Sequence, residues 1–367
     1  MKIVHLTSVH PESDVRIFRK ECLSLVKAGY DVSLIAAGAK DKMVEGVKIF
    51  GVKRIQNRWK RIFFSGKYVY KKAVELDAEI YHFHDPELLP VGIKLKRLGK
   101  KVIFDSHEDV PGQILEKEWL PRTFRKCLSI AYTLYESRIL KKLDAVISVT
   151  PVLTERLIKI NKNTFQITNY PIVDNIFIDK RKWQRSICFA GGISKQWLHE
   201  NVINAIENIS DITYRIAGTS DSAYLDKISF LTGWKKVQFV GKIPFNEVND
   251  FISVSSAGMA LNDYLPNVGY KSGSLGNTKL FEYMQSGIPV ICTDFVLWKE
   301  IVEEADCGIC VNPNDKEAIT RAIRYFIDNP DVAEKMGNNG RKVVEDKYNW
   351  HSQEIILLNL YRNLCDK

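Results

Sequence analysis

The sequence predicts an α/β protein made of two doubly wound, Rossmann-like domains that face each other across a cleft. At 367 residues the chain is longer than one typical hydrophobic core supports. Short runs rich in Ile and Val alternate with helical patterns, which is typical of buried parallel strands. This alternation pauses once, at the polar, proline-containing stretch 167–176, and then restarts. We therefore predict one domain over 1–172 and a second over 173–347.

In the first domain, apolar runs of strand length are separated by segments of helical periodicity. The predicted elements are strand 2–7, helix 14–28 ended at Gly29, strand 31–36, a basic segment, helix 67–76, strand 79–84, helix 86–98, strand 101–106, helix 121–142, strand 145–149 and helix 151–159.

The second domain repeats the same alternation. The predicted elements are strand 186–190, helix 195–207, strands 214–217 and 237–240, helix 245–254, strand 257–261, a short helix from 279, a strand from 288, and helices 316–329, 331–347 and 351–364.

Composition and charge restrict the class of protein. The fractions of hydrophobic (45%) and charged (26%) residues are ordinary for a globular chain. No apolar run reaches the roughly 18 residues that span a bilayer, and the short first strand does not resemble a signal peptide. Seven scattered cysteines, an odd number, favour reduced thiols. We expect a cytoplasmic protein.

Polar residues cluster where the predicted strands end. Ligands of such sheets bind beyond the carboxyl ends of the strands. In the first domain these residues are His10, Asp14, Arg16, His84, Asp85 and His107. In the second they are Gly191, Gly192, Lys195, Gly218, Gly241 and Lys242. Asp14 with Arg16 reads equally well as a local ion pair that caps a helix, and Asp85 as a helix start.

The segment 276–291 predicts a short helix with a polar entry, followed by a buried strand. Asn277 is expected to cap the helix, and Gly287 to end it in a left-handed conformation. Lys279 and Glu282, three residues apart, share the outward face near the helix N-terminus. The free N–H groups and the lysine suit a phosphate, and the carboxylate suits sugar hydroxyls. An ordinary amphipathic helix is the alternative interpretation.

Eight segments along the chain, taken in order, resemble glycosyltransferase family 4, whose members are retaining, nucleotide-sugar-dependent enzymes with the GT-B fold. The resemblance rests on the segments 14–21, 81–89, 104–108, 189–194, 216–218, 239–241, 279–284 and 287–290. It implies that Glu282 holds the donor ribose and that Gly276, Asn277, Thr278 and Lys279 hold the diphosphate. It places Gly241 and Lys242 at the nucleobase and His107 close to the transferred sugar. The final helix, 348–367, is expected to pack back on the first domain.

Three positions, in two motifs, depart from the family pattern. The first glutamate of the family motif, eight residues before Glu282, is Ser274 here, so recognition of the donor sugar does not carry over. The arginine and lysine of the first C-terminal loop fall on Gly192 and Trp197. Lys195 either replaces them at the diphosphate or is simply solvated.

We expect no metal ion and no cofactor besides the nucleoside diphosphate sugar. The chain contains no Asp-x-Asp motif, and GT-B enzymes commonly neutralise the diphosphate without a metal. His82 and His84 share one face of a strand, but the sequence shows no acidic or sulfur partner at ligand spacing. The pair Cys307 and Cys310 has metal or redox spacing without a second pair, and a buried strand start is favoured there.

The charge is unevenly distributed. Residues 1–172 contain 31 Lys+Arg and 19 Asp+Glu, a balance of +12, whereas the remainder holds 22 and 25, a balance of −3. Within Lys53–Lys72 eight basic residues alternate with aromatic residues and no acid occurs. This pattern suits an anionic membrane surface or nucleic acid, and a solvated helix face is the plain alternative. Since family acceptors are often lipid-linked, we favour peripheral attachment to the inner face of the plasma membrane and expect no nucleic acid.

The predicted function is transfer of a sugar, with a UDP-sugar favoured as donor, to a glycan or lipid-linked acceptor in cell-surface polysaccharide biosynthesis. Two alternatives stay open. A GT-B-fold epimerase would exchange epimers of a nucleotide sugar without an acceptor. A non-enzymatic binder of nucleotide sugar or nucleic acid would show no turnover. The sequence does not specify the base, the sugar, the acceptor or the linkage.

Overall fold

A computed structural model describes residues 1–117, 119–173 and 183–365. Within these ranges it does not describe the side chains of residues 58, 59, 62, 63, 245 and 267, so the predicted roles of Arg58, Trp59 and Phe63 in the basic segment lie outside the described residues. The chain divides into two compact units. Unit 1 comprises Met1–Asn169 and Trp350–Lys367, and unit 2 comprises Tyr170–Asn349.

Unit 1 is built on an eight-stranded sheet with the order β3-β4-β2-β1-β5-β6-β7-β8. The strands are β1 (Lys2–Thr7), β2 (Asp31–Ala37), β3 (Lys42–Val44), β4 (Val47–Val52), β5 (Ile80–Phe83), β6 (Lys101–Ser106), β7 (Ala145–Ser148) and β8 (Thr164–Gln166). The helices are α1 (Leu23–Lys27), α2 (Arg58–Leu76), α3 (Leu89–Arg97), α4 (Val110–Leu115), α5 (Arg122–Leu140), α6 (Pro151–Ile158) and the C-terminal α14 (Trp350–Cys365). A π-helical segment, Val15–Cys22, runs directly into α1.

Unit 1 contains four elements that were not predicted, namely the strands β3, β4 and β8 and the helix α4, and its helix α2 is longer than predicted. Between β2 and the basic segment lies an antiparallel hairpin, β3–β4, in which β4 also pairs in parallel with β2. Helix α2 starts nine residues before the predicted 67, because Asn57 caps it by accepting a hydrogen bond from Lys60 N at 3.1 Å. The hairpin lies at the edge of the sheet and carries few buried apolar residues, so its periodicity is weak.

The last helix belongs to the hydrophobic core of unit 1. Trp350, Leu357 and Tyr361 of α14 are buried against residues of β1, β2 and the π-helical segment. Trp350 Nε1 donates a hydrogen bond to Ser24 Oγ at 3.0 Å. Helix α14 thus returns the end of the chain to the sheet formed by its beginning.

Unit 2 is built on a six-stranded parallel sheet with the order β11-β10-β9-β12-β13-β14. The strands are β9 (Gln184–Ala190), β10 (Thr213–Ala217), β11 (Val237–Gly241), β12 (Ser255–Ala260), β13 (Val290–Thr293) and β14 (Gly308–Val311). The helices are α7 (His199–Ile206), α8 (Ser222–Ser229), α9 (Val248–Ser253), α10 (Lys279–Gln285), α11 (Val296–Glu304), α12 (Lys316–Asp328) and α13 (Pro330–Asp346). Counted from β9, this is the strand order 3-2-1-4-5-6 of the doubly wound Rossmann fold.

Helix α10 packs tightly on the sheet of unit 2. A Cβ atom on Gly258 of β12 would lie 2.2 Å from the Tyr283 ring, so the absence of a side chain there lets the helix approach. Gly287 ends the helix with a φ of +68°, the left-handed conformation that its position predicts. Helices α8 and α11 are additional elements that the sequence analysis did not predict. Among the helices described, none is long and apolar enough to cross a bilayer.

Candidate active site

The polar site of unit 1 lies where the strand order reverses, between β1 and β5. Asp85, which follows β5, accepts hydrogen bonds from Thr7 Oγ1 at 2.9 Å and from Ser8 Oγ at 3.1 Å. The carboxylate is buried and joins the loops that follow the two strands. Asp85 therefore fixes the backbone of this site instead of facing solvent.

Arg16 is the buried cation of the site. Its Nε and Nη2 donate to Asp105 Oδ2 and Oδ1 at 2.8 and 2.9 Å, and its Nη1 donates to the Ile167 carbonyl at 3.0 Å. Asp14 caps the π-helical segment by accepting from the backbone N–H groups of Arg16 and Ile17. The interpretation of Asp14 and Arg16 as a local ion pair is thus corrected: Asp14 caps, and Arg16 pairs with Asp105 across the sheet.

His107 is held by the same carboxylate. Its Nε2 lies 2.8 Å from Asp105 Oδ2, and His84 Nδ1 lies 3.2 Å from that oxygen. Burial acts to raise the pKa of Asp105, but the charges of Arg16 and His107 outweigh it and hold that pKa well below its usual range. His84 is buried, whereas the His107 side chain is 18% exposed. Of these groups, His107 is the one able to meet a ligand.

His10 lies beside His107, with their ring centroids 5.2 Å apart. Its Nδ1 lies 3.3 Å from Asp14 Oδ2 and its Nε2 lies 3.5 Å from Asp85 Oδ1. Burial acts to lower the pKa of His10, but the hydrogen bond to Asp14 and the nearby carboxylates outweigh it and raise that pKa. Its contribution to stability is therefore fully present below the unfolded pKa of about 6.5, and is lost as the pH rises through the folded value.

We expect Asp14→Asn to lower the pKa of His10, because it removes a carboxylate charge while asparagine still caps the helix. An NMR pH titration of the histidine ring signals measures the shift. An unchanged His10 titration would contradict the assigned contact.

The glycines predicted in unit 2 meet at the carboxyl ends of neighbouring strands. Gly191 N donates to the Ala217 carbonyl at 2.9 Å, and Gly218 N donates to the Gly241 carbonyl at 2.8 Å. A Cβ atom on Gly218 would lie 1.7 Å from the Gly191 carbonyl oxygen, so no side chain fits there. Gly192 has open space around it, and Lys242 is exposed. These loops form a surface of backbone groups beside the reversal of strand order between β9 and β12.

Helix α10 brings a cation and a carboxylate to this surface. Lys279 Nζ pairs with Glu282 Oε2, and Thr278 Oγ1 donates to Glu282 Oε1 at 2.6 Å. The side chain of Lys279 crosses Gly191, where a Cβ atom would lie 2.7 Å from its Cε. Thr278 occupies the N-cap position, while Asn277 Oδ1 accepts from Lys279 N at 3.1 Å.

The departures from the family pattern have structural consequences. Trp197 is buried and packs edge-on against Phe189, 5.1 Å between ring centroids, so this position contributes to the core. Lys195 is exposed at the start of a short 3₁₀ turn. The Ser274 carbonyl accepts a hydrogen bond from Trp298 Nε1, and the Ser274 hydroxyl accepts one from Gly276 N. Ser274 therefore shapes the loop before α10.

Asn262 is a residue to which the sequence analysis assigned no role. It follows β12 at the reversal of strand order and is 1% exposed. Neither its Oδ1 nor its Nδ2 has a hydrogen-bond partner among the described residues. A buried amide without partners is costly, so this side chain is suited to a polar ligand. Its position directly after a strand of the predicted sheet was the available signal.

Helix α2 carries an exposed basic and aromatic surface. Five exposed side chains share one face at helical spacing, and we call them the basic face: Lys60, Phe64, Lys67, Tyr68 and Lys71. Arg61 does not belong to it, because its Nε lies 3.1 Å from both carboxylate oxygens of Glu87.

Comparisons with known proteins agree with this architecture. The family described as Glycosyltransferase Family 4 matches residues 16–167, and the one described as Glycosyl transferases group 1 matches residues 175–343. An uncharacterized glycosyltransferase of Methanocaldococcus jannaschii is 24% identical over 99% of this chain and 98% of its own length.

Solved structures share the fold at low identity. Sucrose-phosphate synthase from Thermosynechococcus elongatus superposes with a TM-score of 0.75 at 18% identity, over 100% of this chain and 99% of its own. Anabaena HepE, in complex with UDP and glucose, superposes with a TM-score of 0.72 at 12% identity, over 99% of this chain and 100% of its own. WaaG, a glycosyltransferase involved in lipopolysaccharide biosynthesis, superposes with a TM-score of 0.72 at 12% identity, over 97% of this chain and 98% of its own.

Both units thus have Rossmann-like sheets, and the two family matches cover them in order. The chain is a GT-B glycosyltransferase and belongs to glycosyltransferase family 4.

Proposed function

We propose that this glycosyltransferase moves a sugar from a UDP-sugar to a glycan or lipid-linked acceptor in cell-surface polysaccharide biosynthesis, with retention of the anomeric configuration. The observation that carries the donor proposal is the position of Lys279, whose side chain lies across Gly191 and beside Glu282. One cation, one carboxylate and the backbone of three glycine-bearing loops lie together at the edge of the sheet of unit 2.

In the proposed complex, the diphosphate binds at Gly276–Thr278 and Lys279. Backbone N–H groups and an ammonium group at that point stabilise the charge that develops on the leaving group. The ribose hydroxyls bind Glu282, where they replace the hydroxyl of Thr278 as donors to the carboxylate. Gly241 and Lys242 contact the base. Lys195 is an additional cation for the diphosphate.

In the proposed reaction the bond between the anomeric carbon and the diphosphate oxygen breaks, and a bond to the acceptor oxygen forms on the same face. The acceptor proton passes to a diphosphate oxygen, so no protein base is required. His107 contacts the transferred sugar, and its imidazole is oriented by Asp105. Arg16, His84 and Asp85 are buried, so we place them as positioning residues. His10 flanks His107, and Asp14 contacts His10. NMR of the product, read at its anomeric signal, tests retention.

The donor is tested by thermal unfolding in the presence of UDP-, GDP- and ADP-sugars. A ligand at 100 times its dissociation constant stabilises the folded state by about 2.7 kcal/mol, so the true donor should raise Tm clearly. HepE was solved with UDP and glucose, which supports UDP-sugars as the first set to examine. A clear rise with a GDP- or ADP-sugar alone would contradict the proposed base.

The basic face of α2 supports an anionic membrane as the surface on which the acceptor is met. Its lysines attract anionic head groups, and Phe64 and Tyr68 provide apolar area for the interface. WaaG is involved in lipopolysaccharide biosynthesis, which is in line with a lipid-linked acceptor. We propose that the protein binds peripherally at the inner face of the plasma membrane.

We expect Lys67→Glu with Lys71→Glu to reduce sedimentation with vesicles containing anionic lipid by about tenfold or more, since each lysine near such a surface contributes about 1 kcal/mol. The matched control is Lys335→Glu with Lys342→Glu, which makes the same charge change on exposed positions of α13. Equal sedimentation of the two double variants would show that net charge, and not this face, determines binding.

A further inference from the structure

Beneath the polar site of unit 1 lies a buried cluster of three histidines and one glutamate, of which the proposed reaction uses only His84, as a positioning residue. His5 belongs to β1, His82 to β5, His84 follows β5, and Glu21 belongs to the π-helical segment. All four side chains are fully buried. A nitrogen of each histidine lies 3.8 Å from Glu21 Oε2, and these four ligand atoms lie within 4.8 Å of one another.

We propose that His5, Glu21, His82 and His84 form a structural site for a divalent cation of the zinc class. Three imidazole nitrogens and one carboxylate oxygen are a ligand set that zinc accepts. Zinc–nitrogen bonds of about 2.0–2.1 Å in a tetrahedron correspond to about 3.3 Å between ligand atoms. The observed 3.8 Å separations, and the 3.0 Å between His5 Nδ1 and His84 Nε2, lie on either side of that value.

The carboxylate of Glu21 supplies an independent reason for a ligand. It is fully buried, and neither oxygen has a hydrogen-bond partner among the residues that the structure describes. Its Oε1 lies 3.2 Å from Arg16 Nε, which leaves Oε2 directed at the three imidazoles. A buried carboxylate oxygen that accepts no hydrogen bond is costly, and a cation at the centre of the cluster would satisfy it.

Metal-bound histidines usually have a hydrogen-bond partner at the ring nitrogen that does not bind the metal, and such partners are present here. His84 Nε2 faces Glu21, while its Nδ1 lies 3.2 Å from Asp105 Oδ2, the carboxylate–histidine arrangement common at zinc sites. His5 Nδ1 faces the cluster, and its Nε2 lies 3.3 Å from the Tyr361 hydroxyl. His82 is the ligand that must adjust, because its Nδ1 also lies 2.8 Å from that hydroxyl.

The expectation that no metal binds at His82 and His84 rested on the lack of an acidic partner in the sequence. The structure supplies that partner, since Glu21 lies sixty-one positions before His82 in the chain yet 3.8 Å from it. A cation there would join β1, β5 and the π-helical segment, and through Tyr361 the C-terminal helix α14. Its role is structural and goes beyond the proposed transfer reaction.

The test is metal binding by the untagged full chain. The protein is stripped with a chelator, incubated with Zn²⁺, freed of excess ion and analysed for metal content. We expect one ion per chain, a higher Tm with the ion than without it, and an intense visible spectrum of tetrahedral cobalt when Co²⁺ replaces Zn²⁺. A wild-type chain that retains less than a tenth of an equivalent, or an octahedral cobalt spectrum, would overturn the proposal without any variant.

Variants assign the ligands. Glu21→Gln keeps the size of the side chain and should reduce retained metal at least tenfold, whereas His351→Ala, at an exposed position of α14, should retain one ion. A second group, His84, Asp105 and His107, also has ligand atoms close together. His107→Ala separates the two: retained metal supports the buried cluster, and lost metal would place the ion at His107 instead. Retention by Glu21→Gln would likewise overturn the assignment.

Discussion

Replacing Glu282 with alanine should lower kcat/KM for the nucleotide-sugar donor by about 10²-fold. A carboxylate that accepts charge-assisted hydrogen bonds contributes about 1.5–3 kcal/mol, which corresponds to a factor of roughly 10–150. The substitution also frees the ammonium group of Lys279, which Glu282 now pairs, so binding of the diphosphate alone should be retained or strengthened. Steady-state kinetics with the donor identified by thermal unfolding measures the loss.

The control for this variant is Glu303→Ala, which removes a 63%-exposed glutamate from α11, at the surface of the same unit. It should leave kcat/KM within a factor of two, since surface substitutions of this kind change little. Full activity in the Glu282→Ala protein would contradict the proposed binding of the ribose hydroxyls to Glu282. Equal losses in both variants would mean that general destabilisation, and not donor binding, is being measured.

Replacing Arg16 with alanine should strongly destabilise unit 1. The substitution leaves the Asp105 carboxylate buried beside His84 and His107 without its cation. Removing one partner of a buried ion pair costs about 3–5 kcal/mol, and in a domain of this size that corresponds to a Tm lower by about 6–20 °C. Calorimetry is suited to the measurement, because two units need not unfold in one transition.

The stability difference between the wild type and Arg16→Ala should also depend on pH. In the wild type Arg16 holds the pKa of Asp105 below its usual range, so the stability it provides is present above the unfolded pKa of about 4 and is lost on acidification. The difference between wild type and Arg16→Ala should therefore be largest near neutral pH and shrink in acid. Arg97→Ala, at the exposed end of α3, is the matched control, and a Tm as high as that control's would contradict the buried pair.

Much of the fold could be predicted from the sequence because its signals are local. The strands β1, β6 and β7 each contain adjacent Ile and Val residues, β5 is a short, wholly buried strand, and the helices between these strands have a buried stripe. The predicted elements differ from the observed ones where the local sequence signal is weak. The β3–β4 hairpin lies at a sheet edge, and α2, which Asn57 caps, begins within a segment where the basic residues dominated the pattern.

The candidate sites also contain residues that local spacing places together and residues that only the folded sheet brings together. Lys279 and Glu282 pair because three positions on a helix bring them to one face, which spacing alone predicts. The buried cluster needs strand register: His5 of β1 lies directly opposite His82 of β5, and no local pattern contains that information. Asp105 and Glu21 went unassigned because each is one carboxylate among many until the sheet places histidines beside it.

The central claim is that unit 2 holds a sugar nucleotide at the start of α10. The most direct measurement is a crystal structure of the full chain with an unreactive UDP-sugar analogue. It should show ribose hydroxyls within hydrogen-bond distance of the Glu282 carboxylate and the diphosphate against Gly276–Lys279. A nucleotide bound elsewhere, with the Thr278–Glu282 hydrogen bond intact, would contradict the account.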